Sequence, residues 1–207
     1  MARRSYRQNC SLARAADVIG ERWTLLLLRD LLVGPRRFGE LSRSQKGMGS
    51  NLLASRLREL EAAGIVERQS DDRGSPHYAL TERGRALEPA LLALVRWGMI
   101  YGPEGRQGFH HQADWDLLAL KALFHPEYAQ DLSVRVQFKT DDFTGWVSVH
   151  DRRVGIGLGE TPAADLTVDG TIKDLFTGPG SRPSPAVTGS ADLLRRFRAA
   201  FILRLSA

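Results

Sequence analysis

Apolar residues recur at helical spacing through the first half of the chain and at every second position through much of the remainder. Leu12–Ile19 and Trp23–Leu32 read as two helices separated at Gly20, and Gly34-Pro35 ends the second because proline cannot continue a helix. A short segment at Phe38–Ser42 and a turn at Gly47-Met48-Gly49 precede a longer helix from Ser50 to Ala63, closed by Gly64. Ile65–Arg68 and His77–Leu80 are short β-prone runs joined by Asp71-Asp72-Arg73-Gly74-Ser75-Pro76, a run of turn-forming residues. Thr81 then caps a helix predicted to run on through Leu87, Leu91, Leu94 and Trp97. This order is a helix-turn-helix with a β-wing.

From residue 113 onwards the period changes. Val134/Val136/Phe138, Val147/Val149, Val154/Ile156/Leu158 and Leu166/Val168 each alternate with polar or glycine positions, so each strand has one apolar face. That face must be covered, and Trp115–Phe124, Ile172–Phe176 and Ala191–Leu203 are the helices available to do so. The expected fold class is therefore α+β: a winged helix-turn-helix domain at residues 10–101, and a four- to five-stranded sheet covered by helices at 113–207. Gly102-Pro103-Glu104-Gly105-Arg106-Gln107-Gly108 has no periodicity, which makes 102–112 a linker.

Composition narrows the function. In 207 residues, 43% are hydrophobic and 26% charged, as in ordinary globular domains. Aliphatic runs such as Leu25–Leu28 are far short of the roughly 20 residues a membrane span needs, so no membrane partner is expected. Polar Ser5–Ser11 supplies no signal-peptide core, and the single cysteine, Cys10, allows no intrachain disulfide. A soluble, cytoplasmic protein is expected. Residues 1–100 hold 17 basic and 11 acidic side chains, whereas residues 101–207 hold 12 and 13. The positive excess lies wholly in the half with the helix-turn-helix pattern, as expected if that half meets a polyanion.

The helix Ser50–Ala63 shows how. At about 100° per residue, Leu53, Leu57 and Leu60 fill one narrow arc, and Asn51, Ser55 and Arg58 lie opposite. Short polar side chains near a helix start allow close approach to base edges, where Asn pairs with adenine and Arg with guanine. The same residues also suit a plain solvated face. Arg73 and Ser75 at the hairpin tip are candidates for minor-groove or phosphate contact, although Asp71 and Asp72 would repel phosphate if they faced it. Arg36 and Arg37 are candidate phosphate anchors or ordinary surface. The candidate DNA contacts are thus Arg36, Arg37, Ser50, Asn51, Ser55, Arg58, Arg73 and Ser75.

Five blocks in order carry a resemblance: Cys10-Ser-Leu-Ala-Arg-Ala-Ala-Asp-Val-Ile-Gly20, Arg22-Trp23-Thr24-Leu25-Leu26, Gly34-Pro35-Arg36-Arg37-Phe38-Gly39-Glu40-Leu41, Leu57-Arg58-Glu59-Leu60-Glu61-Ala62-Ala63-Gly64-Ile65-Val66 and Tyr78-Ala79-Leu80-Thr81-Glu82-Arg83-Gly84. Residues 10–100 thereby resemble the HxlR-type branch of the MarR-like winged-helix regulators. The resemblance implies double-stranded DNA as partner, a homodimer held by the first and last helices of the domain, and a palindromic operator read in successive major grooves. One departure stands out. Relatives commonly open the recognition helix with Ser-Pro-Lys, and this chain has Gly49-Ser50-Asn51, which removes a cation and points to a different operator or to weaker phosphate contact. Many relatives carry a cysteine where Cys10 stands, and in some it senses oxidants. Arg7 and Arg14 are near enough in sequence to favour a thiolate, so Cys10 is either a redox candidate or a quiet thiol at a dimer contact.

No catalytic set assembles in residues 101–207, and no enzyme activity, cofactor or metal is expected. His110-His111 with Asp114 form no second cluster, and Gly155-Ile156-Gly157-Leu158-Gly159 alternates within a strand pattern instead of joining strand to helix. Glycines placed so are expected to admit another backbone at close range. Ala164–Gly178 and Val187–Leu194 with Phe197 resemble the C-terminal half of the sterol carrier protein type-2-like fold, whose members bind lipids or acyl chains between sheet and helices. That resemblance makes an apolar small molecule or lipid the expected ligand. Phe138, Val149, Ile156, Leu158, Leu166, Phe176, Leu194 and Phe197 are then wall candidates, against plain core packing for each. The expectation is a dimeric DNA-binding regulator modulated through its second domain. The alternative is a lipid carrier whose winged helix serves only dimerisation or protein contacts.

Overall fold

The computed structural model describes residues 5–103, 108–176 and 185–201. The chain divides into two compact units at Leu91/Leu92. Residues 104–107 of the expected linker and Leu203, the expected end of the last helix, lie outside the described residues.

The first unit runs α1 (Ser11–Ile19), α2 (Thr24–Val33), α3 (Phe38–Ser44), α4 (Ser50–Ala62), β1 (Val66–Ser70), β2 (Pro76–Leu80) and α5 (Glu82–Arg85). Its core is the set of leucines picked out by helical spacing: Leu27, Leu28, Leu31, Leu41, Leu53, Leu57 and Leu60 are all nearly inaccessible, joined by Ile65, Val66 and Leu80. Gly64, at φ +66°, closes α4. Its N–H donates to the Glu61 carbonyl and that of Ile65 to the Leu60 carbonyl, 2.9 Å each, which satisfies two carbonyls at the helix end and turns buried Ile65 back towards the core. β1 and β2 pair antiparallel with Val66 opposite Leu80 and Ser70 opposite Pro76.

The helix expected from Thr81 through Trp97 is two helices. Thr81 does cap, its Oγ1 accepting from the Gly84 N–H at 3.0 Å. α5 stops at Arg85, and α6 (Glu88–Tyr101) starts anew. The cause is Pro89, which has no N–H to donate to the Arg85 carbonyl and whose ring would crowd it. Proline is tolerated only in the first turn, and that is where α6 places it.

The second unit is built on a five-stranded sheet ordered β5-β4-β3-β6-β7. Its strands are β3 (Val134–Lys139), β4 (Thr144–His150), β5 (Arg153–Leu158), β6 (Leu166–Asp169) and β7 (Ala186–Gly189); its further helices are α7 (Trp115–Ala122), α8 (Ile172–Phe176) and α9 (Ala191–Ala199). β3 and β6 run parallel and the other neighbours antiparallel. The fold class is α+β, with a winged helix-turn-helix in the first unit. Register places Val136, Val147, Ile156 and Leu166 in one row across four strands, so the alternating apolar positions do share a face. α7 packs against β4 and β5 with Leu117, Leu118 and Leu120 buried. Phe197 and Phe201 stack at 4.7 Å between centroids, and Phe124 meets Phe201 at 5.4 Å, which ties the end of α9 to the end of α7.

The glycines of β5 correct an expectation. A side chain at Gly157 would collide with the Trp146 indole at 2.5 Å, and one at Gly155 would meet the Ser148 hydroxyl at 2.8 Å and Trp146 at 3.5 Å. What lies against this strand is chiefly an indole from β4, not a second backbone. Beside it Gln137, buried on the same face, donates to the Gly145 carbonyl at 2.8 Å and accepts from the Thr161 N–H at 2.7 Å. Among the described residues no helix is long and apolar enough to cross a membrane.

Candidate nucleic-acid interface

α4 presents its two faces as the spacing predicts. Leu53, Leu57 and Leu60 are buried to within 1% exposure, while Ser50, Asn51 and Arg58 are exposed. Gly49, the residue before the helix, has open space where a side chain would project, so nothing crowds the first turn. Ser55 is half-buried and its hydroxyl donates to Glu59 Oε1 at 3.2 Å. Arg56, only 13% exposed, is held by Glu59 at 2.6 Å and Glu21 at 3.4 Å and acts as an internal strut.

The turn before α4 is fixed by a cluster that spacing alone does not reveal. Asp30, on α2 and 1% exposed, accepts from the Ser44 hydroxyl and from Gln45 Nε2, and pairs with Arg29 at 2.9 Å. A carboxylate buried in an apolar unit is tolerable only when paired and hydrogen-bonded in this way. The cluster pins the end of α3 to α2 and so sets where α4 begins. The sequence signal was an aspartate interrupting an aliphatic run.

The wing carries the remaining candidates. Arg36 is half-buried, and its backbone exchanges hydrogen bonds of 2.9 and 2.7 Å with Tyr78, adding a third short edge to the hairpin. Arg37 and Arg73 are exposed, and Arg37 Nη2 lies 2.7 Å from Asp71. Ser75 is half-buried, with its N–H donating to Asp71 Oδ1 at 2.8 Å. Asp71 thus faces into its own turn. The Ser75 N–H, the Arg37 side chain and the Arg73 N–H hold its carboxyl below the usual aspartate range.

Cys10 is exposed at the start of α1. Its thiol is held below the ordinary value by the backbone N–H groups of Ala13 and Leu12. The source of that shift differs from the sequence expectation: the helix start supplies it, whereas the nearby Arg14 guanidinium donates to the Ser11 hydroxyl at 3.1 Å.

In the second unit the strand candidates Phe138, Val149, Ile156, Leu158 and Leu166 share the apolar face of the sheet, and Phe176 meets Phe197 at 6.4 Å between centroids. Phe138 and Phe197 are fully buried, Val149 and Leu166 are 1% exposed, and Ile156, Leu158, Phe176 and Leu194 are half-buried. An open groove of about 360 Å³ is lined by Ser133, Arg135, Ser148, His150 and Asp165, and of the eight candidates only Val149 borders it. His111 pairs with Asp116 at 2.9 Å, and no group of three or more metal-ligating side chains occurs among the described residues.

Against known proteins, the HxlR-like helix-turn-helix family model matches residues 18–106. An uncharacterised HTH-type transcriptional regulator of Mycobacterium tuberculosis is 45% identical over 95 residues, which is 45% of this chain and 60% of that protein. The HTH-type transcriptional regulator YybR of Bacillus subtilis is 38% identical over 44% of this chain and 75% of its own length. Among solved structures, the reduced form of the transcriptional regulator YodB from B. subtilis is 32% identical over 48% of this chain and all of that one, with a TM-score of 0.41. This chain therefore spans 60% of the length of the mycobacterial relative and three quarters of YybR. With its α4 face, its wing and these relatives together, the chain belongs to the HxlR-like helix-turn-helix family, whose matched members are HTH-type transcriptional regulators.

Proposed function

We propose that this protein is a homodimeric transcriptional regulator that reads a palindromic operator by placing α4 of each copy in the major groove. The observation that carries this reading is the division of α4: three leucines sealed in the core, with Asn51 and Arg58 exposed on the other side and doing no packing work. The base-facing candidates are Ser50, Asn51, Ser55 and Arg58, and the backbone-facing ones Arg36, Arg37, Arg73 and Ser75. Dimerisation is supported by exposed apolar side chains. Leu12 on α1 is 77% exposed, and Leu94, Trp97 and Tyr101 form one stripe along α6 at 52%, 59% and 68%. Two copies related by a twofold axis would set their α4 helices about 34 Å apart, one turn of DNA.

The second unit, at residues 113–207 beyond a linker at 102–112, is proposed as a sterol carrier protein type-2-like module that takes an apolar small molecule or lipid. Such a ligand alters operator affinity only if it binds two dimer geometries unequally.

Operator binding measured against salt tests the reading. Affinity is expected to fall steeply with salt, Arg58→Ala to relax base preference, and Arg36→Ala to weaken binding evenly across sequences. Salt-independent binding, or an Arg58→Ala protein with unchanged preference, refutes it. Native mass spectrometry of the purified chain reports dimer mass and any co-purified apolar molecule together.

A further inference from the structure

Asp71 puts a negative charge at the tip of a wing that is meant to meet phosphates, the wrong sign for that place. Its bonds supply a reason for it. Oδ1 accepts from the backbone N–H groups of Arg73 at 3.0 Å and Ser75 at 2.8 Å, and Oδ2 accepts from Arg37 Nη2 at 2.7 Å. The Asp71 N–H donates to the Ser75 carbonyl at 3.0 Å, and its own carbonyl accepts from the Gly74 N–H at 2.8 Å. Gly74, at φ +75°, completes the turn. Arg37 lies at the entry to α3, 34 positions earlier in the chain, and the neighbouring Arg36 already joins the hairpin through Tyr78. Asp72, which is exposed, takes no part in these bonds.

We propose that Asp71 is a positioning residue for DNA binding: its carboxylate ties the wing tip to the entry of α3, and so sets the Arg37 guanidinium and the backbone that carries Arg73 in one arrangement towards the phosphate backbone. The inference rests on the DNA-binding reading above. Counted together, the carboxylate and the side chains of Arg37 and Arg73 carry a net charge of +1, and the negative charge is turned onto the Arg37 guanidinium and two backbone N–H donors. Fixing the Arg37 side chain and the turn that carries Arg73 before contact removes part of the ordering cost that a free side chain and a loose turn would meet on binding.

The two roles Asp71 could play predict opposite signs. The full chain is titrated with duplexes that it selects from a random pool of about 30 base pairs, long enough for two half-sites. If Asp71 positions the wing, Asp71→Ala weakens binding about tenfold although it removes a negative charge. Asp71→Asn, which keeps an acceptor for the two N–H groups, restores most of that loss. Asp72→Ala, which removes the same charge from the same hairpin, leaves binding equal or tighter. In an Arg37→Ala/Arg73→Ala background, Asp71→Ala changes affinity by less than about twofold, because the groups it acts through are gone.

An Asp71→Ala protein that binds as tightly as the parent or tighter, as Asp72→Ala does, overturns the proposal; so does a full additional loss in the double-arginine background. Thermal unfolding of each variant identifies a folding defect, and if Asp71→Ala has one, Asp71→Asn takes its place: binding weaker than that of Asp72→Ala supports the proposal, since both remove one charge from the hairpin, and binding as tight or tighter overturns it. A parent protein that selects no duplex defeats the DNA-binding reading itself, and this proposal with it. That result is distinct from a parent that binds and an Asp71 that does not matter.

Discussion

The two units put their candidate functional residues on opposite sides of the folding problem. In the first, Leu53, Leu57 and Leu60 hold α4 in place, and Asn51 and Arg58 stand outside with no part in the packing. Packing and the candidate contacts there belong to different side chains. In the second, half of the wall candidates are the core itself: Phe138 and Phe197 are fully buried, and Val149 and Leu166 nearly so. Any ligand taken up beside them would be held by the groups that hold the domain. A surface reader can change its specificity without changing its fold, whereas a sheet-and-helix pocket cannot easily do so.

This contrast can be broken by mutation. Phe197→Ala is expected to cost about 3–5 kcal/mol in chemical denaturation, because a fully buried ring stacked on Phe201 leaves a cavity. Arg58→Ala is expected to stay within about 0.5 kcal/mol of the parent. A well-tolerated Phe197→Ala would mean that the site relaxes freely, and the contrast would go. Next in size, Asp30→Ala is expected to destabilise the first unit by about 3 kcal/mol by stranding Ser44 and Gln45. The measured operator preference of the surviving folded fraction should not change, since Asp30 sets where α4 starts and not what it presents. The smallest effect concerns Cys10. The rate of alkylation by iodoacetamide should rise through an inflection below that of an ordinary thiol, because N–H donors favour the thiolate and lower its pKa. Arg14→Ala should leave that inflection where it is. An inflection that moves up with Arg14→Ala would return the credit to the arginine.

Local rules were enough for much of this. The period of Leu53, Leu57 and Leu60, the glycine after Ala63 and the threonine before Glu82 are short-range signals, and α4 and its caps follow from them. The sheet face followed from alternation in the same way. What escaped depends on partners distant in sequence or on a conflict between two local rules. Helical periodicity runs unbroken through Leu87, Leu91 and Leu94, and Pro89 overrides it. β7 is four residues long and was absent from the four alternating stretches, since Val187 is its one apolar residue of size. The roles of Asp30 and Asp71 needed partners 14, 15 and 34 positions away, and neither charge nor spacing names them. For the second unit's residues, an apolar sheet face looks the same in sequence whether it encloses a ligand or only helices.

Gly84 shows how narrow some of these tolerances are. The Ile65 carbonyl lies 2.2 Å from where a methyl group at position 84 would sit, and the Leu80 side chain lies 3.1 Å from it. The chain leaving α4 and the helix leaving the hairpin therefore pass each other with only a hydrogen atom between them. Even alanine there would have to push apart the two ends of the wing, so this crossing is a gauge, one atom wide, for how far the hairpin can stand from the helix it serves.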